Sequence, residues 1–216
     1  MRQKPERWAA YAGVLAVVLW VVGIIVQESG NTPADGAPDA AYLTHVNDDT
    51  NTILTGGWIF MIGCLAFLVF AVVLRERLAE AEGGSRLFTN IAFVGAVATG
   101  AFGLLLPGPE IAAAISAEDI SASTAAALSN LGDGFFVAAE LSAILLMLGT
   151  GMVVLRSALM PKWWAWFGFV LAVVLAIGPI GWAGLIFGLP VWVLVTTFFL
   201  VRRTAAAPRL VAVGSN

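Results

Sequence analysis

Long uncharged runs alternate with short polar connections along this chain, and the runs have the length of a bilayer crossing. A hydrocarbon layer of about 30 Å takes roughly 20 apolar helical residues at about 1.5 Å rise each. Runs of that kind cover 8–26, 53–74, 87–106 and 135–155. From Trp163 to Val201 there follow 39 residues without a charge, between Lys162 and Arg202. That is about twice a bilayer thickness, and Gly178-Pro179-Ile180-Gly181 near its middle signals a turn. The run is therefore expected to form a hairpin of two spans, 163–178 and 181–201, with Pro190 kinking the second.

The pattern predicts an all-α, polytopic transmembrane bundle of six spans forming one unit over 1–216. Its outer loops are 27–52 and 107–134, and 202–216 is a tail. The first run is too long for the apolar part of a signal peptide. Val26-Gln27-Glu28-Ser29-Gly30 offers no small-x-small cleavage site, so this span is expected to be retained.

Composition narrows the class further. Apolar residues make up 60% of the 216 and charged residues only 12%, about half of what soluble domains carry. So few charges cannot cover a soluble surface of this size, and intrinsic disorder needs the opposite balance. The lone cysteine, Cys64, excludes an intrachain disulfide and is expected to pack as a small hydrophobe.

The charges carry more information by position than by number. All 11 basic residues lie at the N-terminus, in the connections after the second and fourth spans, or in the tail. The outer loops 27–52 and 107–134 contain no Lys or Arg. By the positive-inside rule both termini are expected to be cytoplasmic. Sorted this way, the net charge of −3 divides into a strongly basic inner side and an acidic remainder.

Aromatic and small residues fit a bundle. Trp8, Trp163, Trp164 and Trp166 are expected at the inner boundary, and Trp58 and Trp182 at the outer one, as an interfacial belt. Small residues recur four apart at Ala92, Ala96 and Gly100, at Gly168, Ala172 and Ala176, and at Gly184 and Gly188. Such stripes let helices approach closely, within the bundle or between copies. The first two hairpins also share a plan of span, acidic outer loop, span and basic inner end. Both close on the same four residues, Val72-Val73-Leu74-Arg75 and Val153-Val154-Leu155-Arg156. Duplication and chance in a Val- and Leu-rich chain both account for this.

Candidate chemistry is sparse. One histidine excludes a bis-histidine haem within the chain, and no H-E-x-x-H, phosphate-loop, C-x-x-C or G-x-S-x-G motif occurs. Glu140 is the single ionisable residue well inside a span, seven residues and two turns beyond Asp133 on the same helical face. Asn130 extends that face if the helix begins early enough, although Gly132 and Gly134 are potential breaks. Charged residues inside membranes usually face a cavity or a partner. These three are the candidates for a proton, cation or polar-ligand site; the plain alternative is a Glu holding two helices together.

In the first outer loop His45, Asp48 and Asp49 fall at i, i+3 and i+4 if a helix begins at Pro38. They form a weak metal-ligand set with Asp35 or Asp39, against the simpler reading of a solvated acidic cap. In the second, Ser116-Ala117-Glu118-Asp119 resembles a capping box leading into an interfacial helix, or into one long helix that includes the fourth span. No cofactor is expected.

Two segments carry a resemblance. Asp39-Ala40-Ala41-Tyr42 followed by Leu54-Thr55-Gly56-Gly57-Trp58, and Leu159-Met160-Pro161-Lys162-Trp163-Trp164-Ala165-Trp166-Phe167-Gly168, resemble uncharacterised bacterial multi-span proteins of a domain-of-unknown-function type. The second matches their Leu-x-Pro-x-Trp inner loop and following span. The resemblance implies six helices and a bacterial cytoplasmic membrane, and it brings no activity, cofactor or site residue. The expected function is a non-enzymatic accessory, sensory or assembly module. Its partners would be the lipid bilayer and a second copy or another membrane protein, with no nucleic acid. The alternatives are a small carrier or channel using Glu140 and Asp133, and a lipid- or quinone-linked enzyme centred on His45 and Asp49.

Overall fold

The computed structural model describes residues 11–34 and 36–206, with side chains described as far as Arg202. Trp8, the basic residues Arg2, Lys4, Arg7 and Arg209, and Asp35 lie outside the described residues, as does the side chain of Arg203. The described chain is all helix, without a strand. Its elements are α1 (Ala12–Gln27), α2 (Asp39–Asp48), α3 (Thr50–Glu82), α4 (Leu87–Leu105), α5 (Gly108–Ile115) and α6 (Ala122–Arg156). Then follow α7 (Lys162–Ala176), α8 (Gly178–Ala183), a π-helical turn (Gly184–Gly188) and α9 (Leu189–Ala206).

Four helical stretches are long and apolar enough to cross a membrane: Thr50–Glu82, Leu87–Ile115, Ala122–Arg156 and Gly178–Arg202. The described parts of α1 and α7 are shorter apolar helices of 16 and 15 residues, about 24 and 23 Å long at the usual rise. The outward surface of the bundle is apolar, with Leu15, Ile25, Leu65, Val94, Val170 and Phe187 among its exposed large side chains.

Successive rods run antiparallel, as their side-chain pairings show. A Cβ at Gly23 would meet Phe60, and one at Gly63 would meet Trp20, so α1 and α3 count in opposite directions. Gly95 faces Leu146 and Gly149 faces Ala92 between α4 and α6. Trp164 donates from Nε1 to Thr196 Oγ1 at 3.0 Å, Gly168 faces Trp192, and Leu171 faces Gly188, so the final 39-residue run is a helical hairpin. Gly13 meets Thr197 and Phe70, which brings α9 back beside α1. Close approach at these glycines replaces the absent hydrophobic drive between apolar rods with backbone and side-chain van der Waals contact.

The small-residue stripes are placed unevenly. Ala92, Ala96 and Gly100 are buried, the last against Leu68 and Phe67 of α3. Gly168, Ala172 and Gly184 are buried and Gly188 is half-buried in the α7 hairpin. Ala176 is exposed, because α7 ends there and the extended Ile177 carries the chain away; Leu175 takes the inward position.

Several local expectations differ from the structure. The fourth apolar run is the C-terminal part of a 35-residue helix that passes unbroken through Gly132 and Gly134. That helix is capped by Ser121, whose hydroxyl accepts from Thr124 N at 3.2 Å, and not by Ser116. The turn near Gly178 is a single extended residue, Ile177, and Gly178-Pro179 already begins α8 with proline in the first turn, where its missing N–H costs nothing. Before Pro190 the helix widens into the π turn, in which Leu189 N donates to Gly184 O. The wider turn accommodates a ring that would otherwise strike the carbonyl four residues back. Trp163, Trp166, Trp58 and Trp182 are exposed, but Trp164 is buried and stacks on Phe167 at 4.8 Å. Consecutive helical residues are about 100° apart, so the adjacent tryptophans cannot all face outward.

The first two hairpins share more than their last four residues. Each is an apolar helix, a short helix and a long helix: α1–α2–α3 and α4–α5–α6. The short helix α2 packs across onto α6 of the other hairpin, and α5 packs both across onto α3 and onto its own α6. The repeated arginines both stack on α4, Arg75 over Phe93 at 5.2 Å and Arg156 over Phe88 at 4.5 Å.

Candidate functional site

At the end of the bundle formed by the α2 and α5 side lies a cavity of about 370 Å³. Its inner wall is apolar and aromatic, with Trp20 of α1, Phe60 of α3, Phe136 of α6, and Leu185 and Leu189 around the π turn. Cys64 and Thr99 supply polar atoms there, and both are already engaged. Trp20 Nε1 donates to Cys64 Sγ at 3.3 Å, and Thr99 Oγ1 donates to Gly95 O at 2.8 Å. The mouth is acidic and polar, with Glu28 at the end of α1, Glu110 of α5, and Asn130 and Asp133 of α6. A mostly apolar concavity with a few polar groups at one end is the usual form of a small-molecule site.

Helix ends place the mouth residues. Pro109 sits in the first turn of α5, where proline is favoured, and Glu110 follows it in that turn, where a negative charge suits the helix dipole. Asn130 and Asp133 are three apart on α6 and share a wall of the cavity because the helix continues through both glycines. Both side chains are exposed.

His45 ties the mouth together. It is 3% exposed, with Nδ1 at 3.0 Å from Asp49 Oδ2 and Nε2 at 3.2 Å from Glu110 Oε1. Gln27 Nε2 donates to the other oxygen of Glu110, and Asn31 N donates to Asp49 Oδ2 at 2.8 Å. The ring therefore joins α2, α5 and the start of α3, and through Gln27 it reaches α1. Each ring nitrogen thus faces one carboxylate oxygen. The Asn31 amide, and after it the His45 ring, hold the Asp49 carboxyl below its ordinary range against a smaller opposing effect of burial.

The metal-ligand set expected from His45, Asp48 and Asp49 is divided by this arrangement. Asp48 is exposed and takes no part, while His45 and Asp49 bind each other. Among the described residues no group of three or more His, Cys, Asp or Glu side chains is placed to hold a metal ion.

The face shared by Asp133 and Glu140 passes through two environments. At Asp133 the side chain is exposed and reaches solvent at the cavity mouth. Two turns deeper α8 closes over the helix, and Glu140 is 5% exposed against Gly181. The cavity wall includes Phe136 and Ala139 but not Glu140. Glu110 and Gln27 were not singled out from the sequence; Pro109-Glu110 at the start of an apolar octet was the available helix-start signal.

Apolar rods of membrane length around a chamber with an acidic mouth define a helical membrane protein with a small-molecule-sized cavity. The chain belongs to the family of a domain of unknown function, DUF4386, whose family model matches residues 9–204. No match was found among curated proteins or among solved structures.

Proposed function

We propose that this protein is a non-enzymatic sensory or binding module of a bacterial cytoplasmic membrane, with six spans and both termini inside. Its outward-opening cavity receives a small amphipathic molecule with a cationic head. One observation carries this reading: an apolar, aromatic chamber of about 370 Å³ ends in a mouth bearing Glu28, Glu110 and Asp133. Neither outer connection, 27–52 or 107–134, supplies a Lys or Arg to neutralise them. His45 already faces two carboxylates. A positive head would meet the exposed acidic groups while its tail displaces water from the aromatic wall.

The test uses purified protein in lipid nanodiscs and thermal unfolding with alkyl-ammonium, alkyl-sulfate and uncharged alkyl-glycoside series. Alkyl-ammonium compounds should raise the midpoint with chain length, and Asp133→Asn with Glu28→Gln should remove most of that rise. A ligand at about 100 times its Kd adds about 2.7 kcal/mol, which such a measurement resolves. Equal shifts from cationic and anionic series would refute the assignment.

A second reading, a carrier for a proton or small cation, draws support from Asn130 and Asp133 on the cavity wall. Flux into proteoliposomes that is lost in Asp133→Asn would favour it over a binding module.

A further inference from the structure

Glu140 poses a problem that the cavity does not solve. Its Oε1 is buried and has no hydrogen-bond partner among the described residues. The elements packed on this part of α6 bring no compensating charge, because residues 87–105 of α4 and 163–201 of α7, α8, the π turn and α9 contain no ionisable side chain. On the other contacting elements the ionisable groups that line the cavity are the Cys64 thiol of α3, bound by Trp20, Tyr42 and His45 of α2, and Glu110 of α5, the last two bound to each other at the mouth. On α6 itself the nearest are Asp133, exposed two turns away, and Arg156, stacked on Phe88 at the far end. An ionised carboxylate here would be a buried charge with nothing to pair it.

A suitable acceptor lies beside it. A Cβ built on Gly181 would overlap Glu140 Oε1 and would lie 3.1 Å from the Leu175 carbonyl oxygen, so both oxygens border the space left by this glycine. The Leu175 carbonyl is near the end of α7, and the residue four places on is Pro179, which has no N–H to donate to it. Nearby backbone donors are committed elsewhere: Ile177 N donates to Val174 O, and Gly181 N donates to Ile177 O.

We propose that Glu140 is a proton-binding site, its carboxyl group carrying a proton that it donates to the Leu175 carbonyl oxygen. The bond latches α6 to the break between α7 and α8. Proline removes the donor from one side, glycine leaves room for the carboxyl, and the acid supplies the missing hydrogen. Loss of the proton would place a carboxylate against a carbonyl oxygen and part the two. The element released by that step continues into the π turn, whose Leu185 and Leu189 belong to the cavity wall.

Infrared spectroscopy of the protein in nanodiscs tests this directly. At neutral pH the spectrum should contain a carboxylic-acid C=O stretch that vanishes in Glu140→Gln and survives in Glu110→Gln. Glu140→Gln should keep the wild-type thermal midpoint, because its amide N–H donates to the same carbonyl, whereas Glu140→Leu should lower it. If a substituted protein fails to fold, selective 13C-carboxyl labelling of glutamate in the unsubstituted protein should still shift the band. Absence of an acid band, or a band that remains in Glu140→Gln, would overturn the proposal. Stabilisation by alkyl-ammonium compounds should persist in Glu140→Gln, so failure here is separable from failure of the cavity assignment.

Discussion

Two glycines of α6 should respond to the same substitution with opposite sign. A Cβ at Gly149 would lie 2.5 Å from Ala92 N, 2.6 Å from Phe88 O and 2.9 Å from Ala92 Cα. These are backbone atoms of α4, which cannot swing aside as a side chain can. A Cβ at Gly134 would meet nothing within 4 Å. Both positions are helical, so each alanine gains about 0.5–1 kcal/mol from the reduced entropy of the unfolded chain. At Gly149 overpacking costs about 1–3 kcal/mol as α4 and α6 are forced apart. The net expectation is a loss centred on about 1 kcal/mol and reaching roughly 2.5 kcal/mol for Gly149→Ala, and a gain of up to about 1 kcal/mol for Gly134→Ala. Reversible unfolding in mixed micelles with rising dodecyl sulfate, followed by circular dichroism, measures both. Equal effects, or a stabilising Gly149→Ala, would refute the close α4–α6 contact.

Other parts of the structure make their own predictions. Asp49 has a carboxyl held below its ordinary value of 3.8 by Asn31 and His45. Its contribution is therefore present above that value and is lost as pH falls through the lower folded one. Wild-type thermal midpoints should drop over that acid range more steeply than those of Asp49→Asn; parallel curves would disprove the linkage. At the opposite end Glu82 accepts from Phe88 N at 3.0 Å, and from Thr89 N and Oγ1 at 2.8 and 2.6 Å, closing the N-terminus of α4. Glu82→Ala should cost about 1–2 kcal/mol in the same micelle assay, and an unchanged midpoint would show that the cap contributes nothing.

Much of the architecture was legible because bilayer-length apolar runs leave a helix few alternatives. Each run expected to be helical is helical where described apart from its end residues Tyr11, Leu106 and Ile177, and the break falls at Ile177, beside the expected Gly178-Pro179. The connecting segments were legible only in part. Their helices α2 and α5 are only 10 and 8 residues long, the first turns of α6 are rich in Ala and Ser, and their position depends on packing between elements. The candidate site shows the same division. Asp133 and Glu140 share a helical face, but no spacing rule says that α8 covers one and leaves the other open.

The linear sequence by itself determined the helical class, the approximate ends of the apolar rods and the separation of basic from acidic connections. These follow from local composition, because hydrophobicity and charge are properties of consecutive residues. Tertiary structure alone decided that Glu110 and His45 meet from 65 residues apart. It also decided that Ala176 is exposed while Ala172 is buried, and that Glu140 lies against a glycine rather than in the cavity. Those outcomes depend on which rods are neighbours and how closely glycine lets them approach, and that information is held jointly by distant parts of the chain.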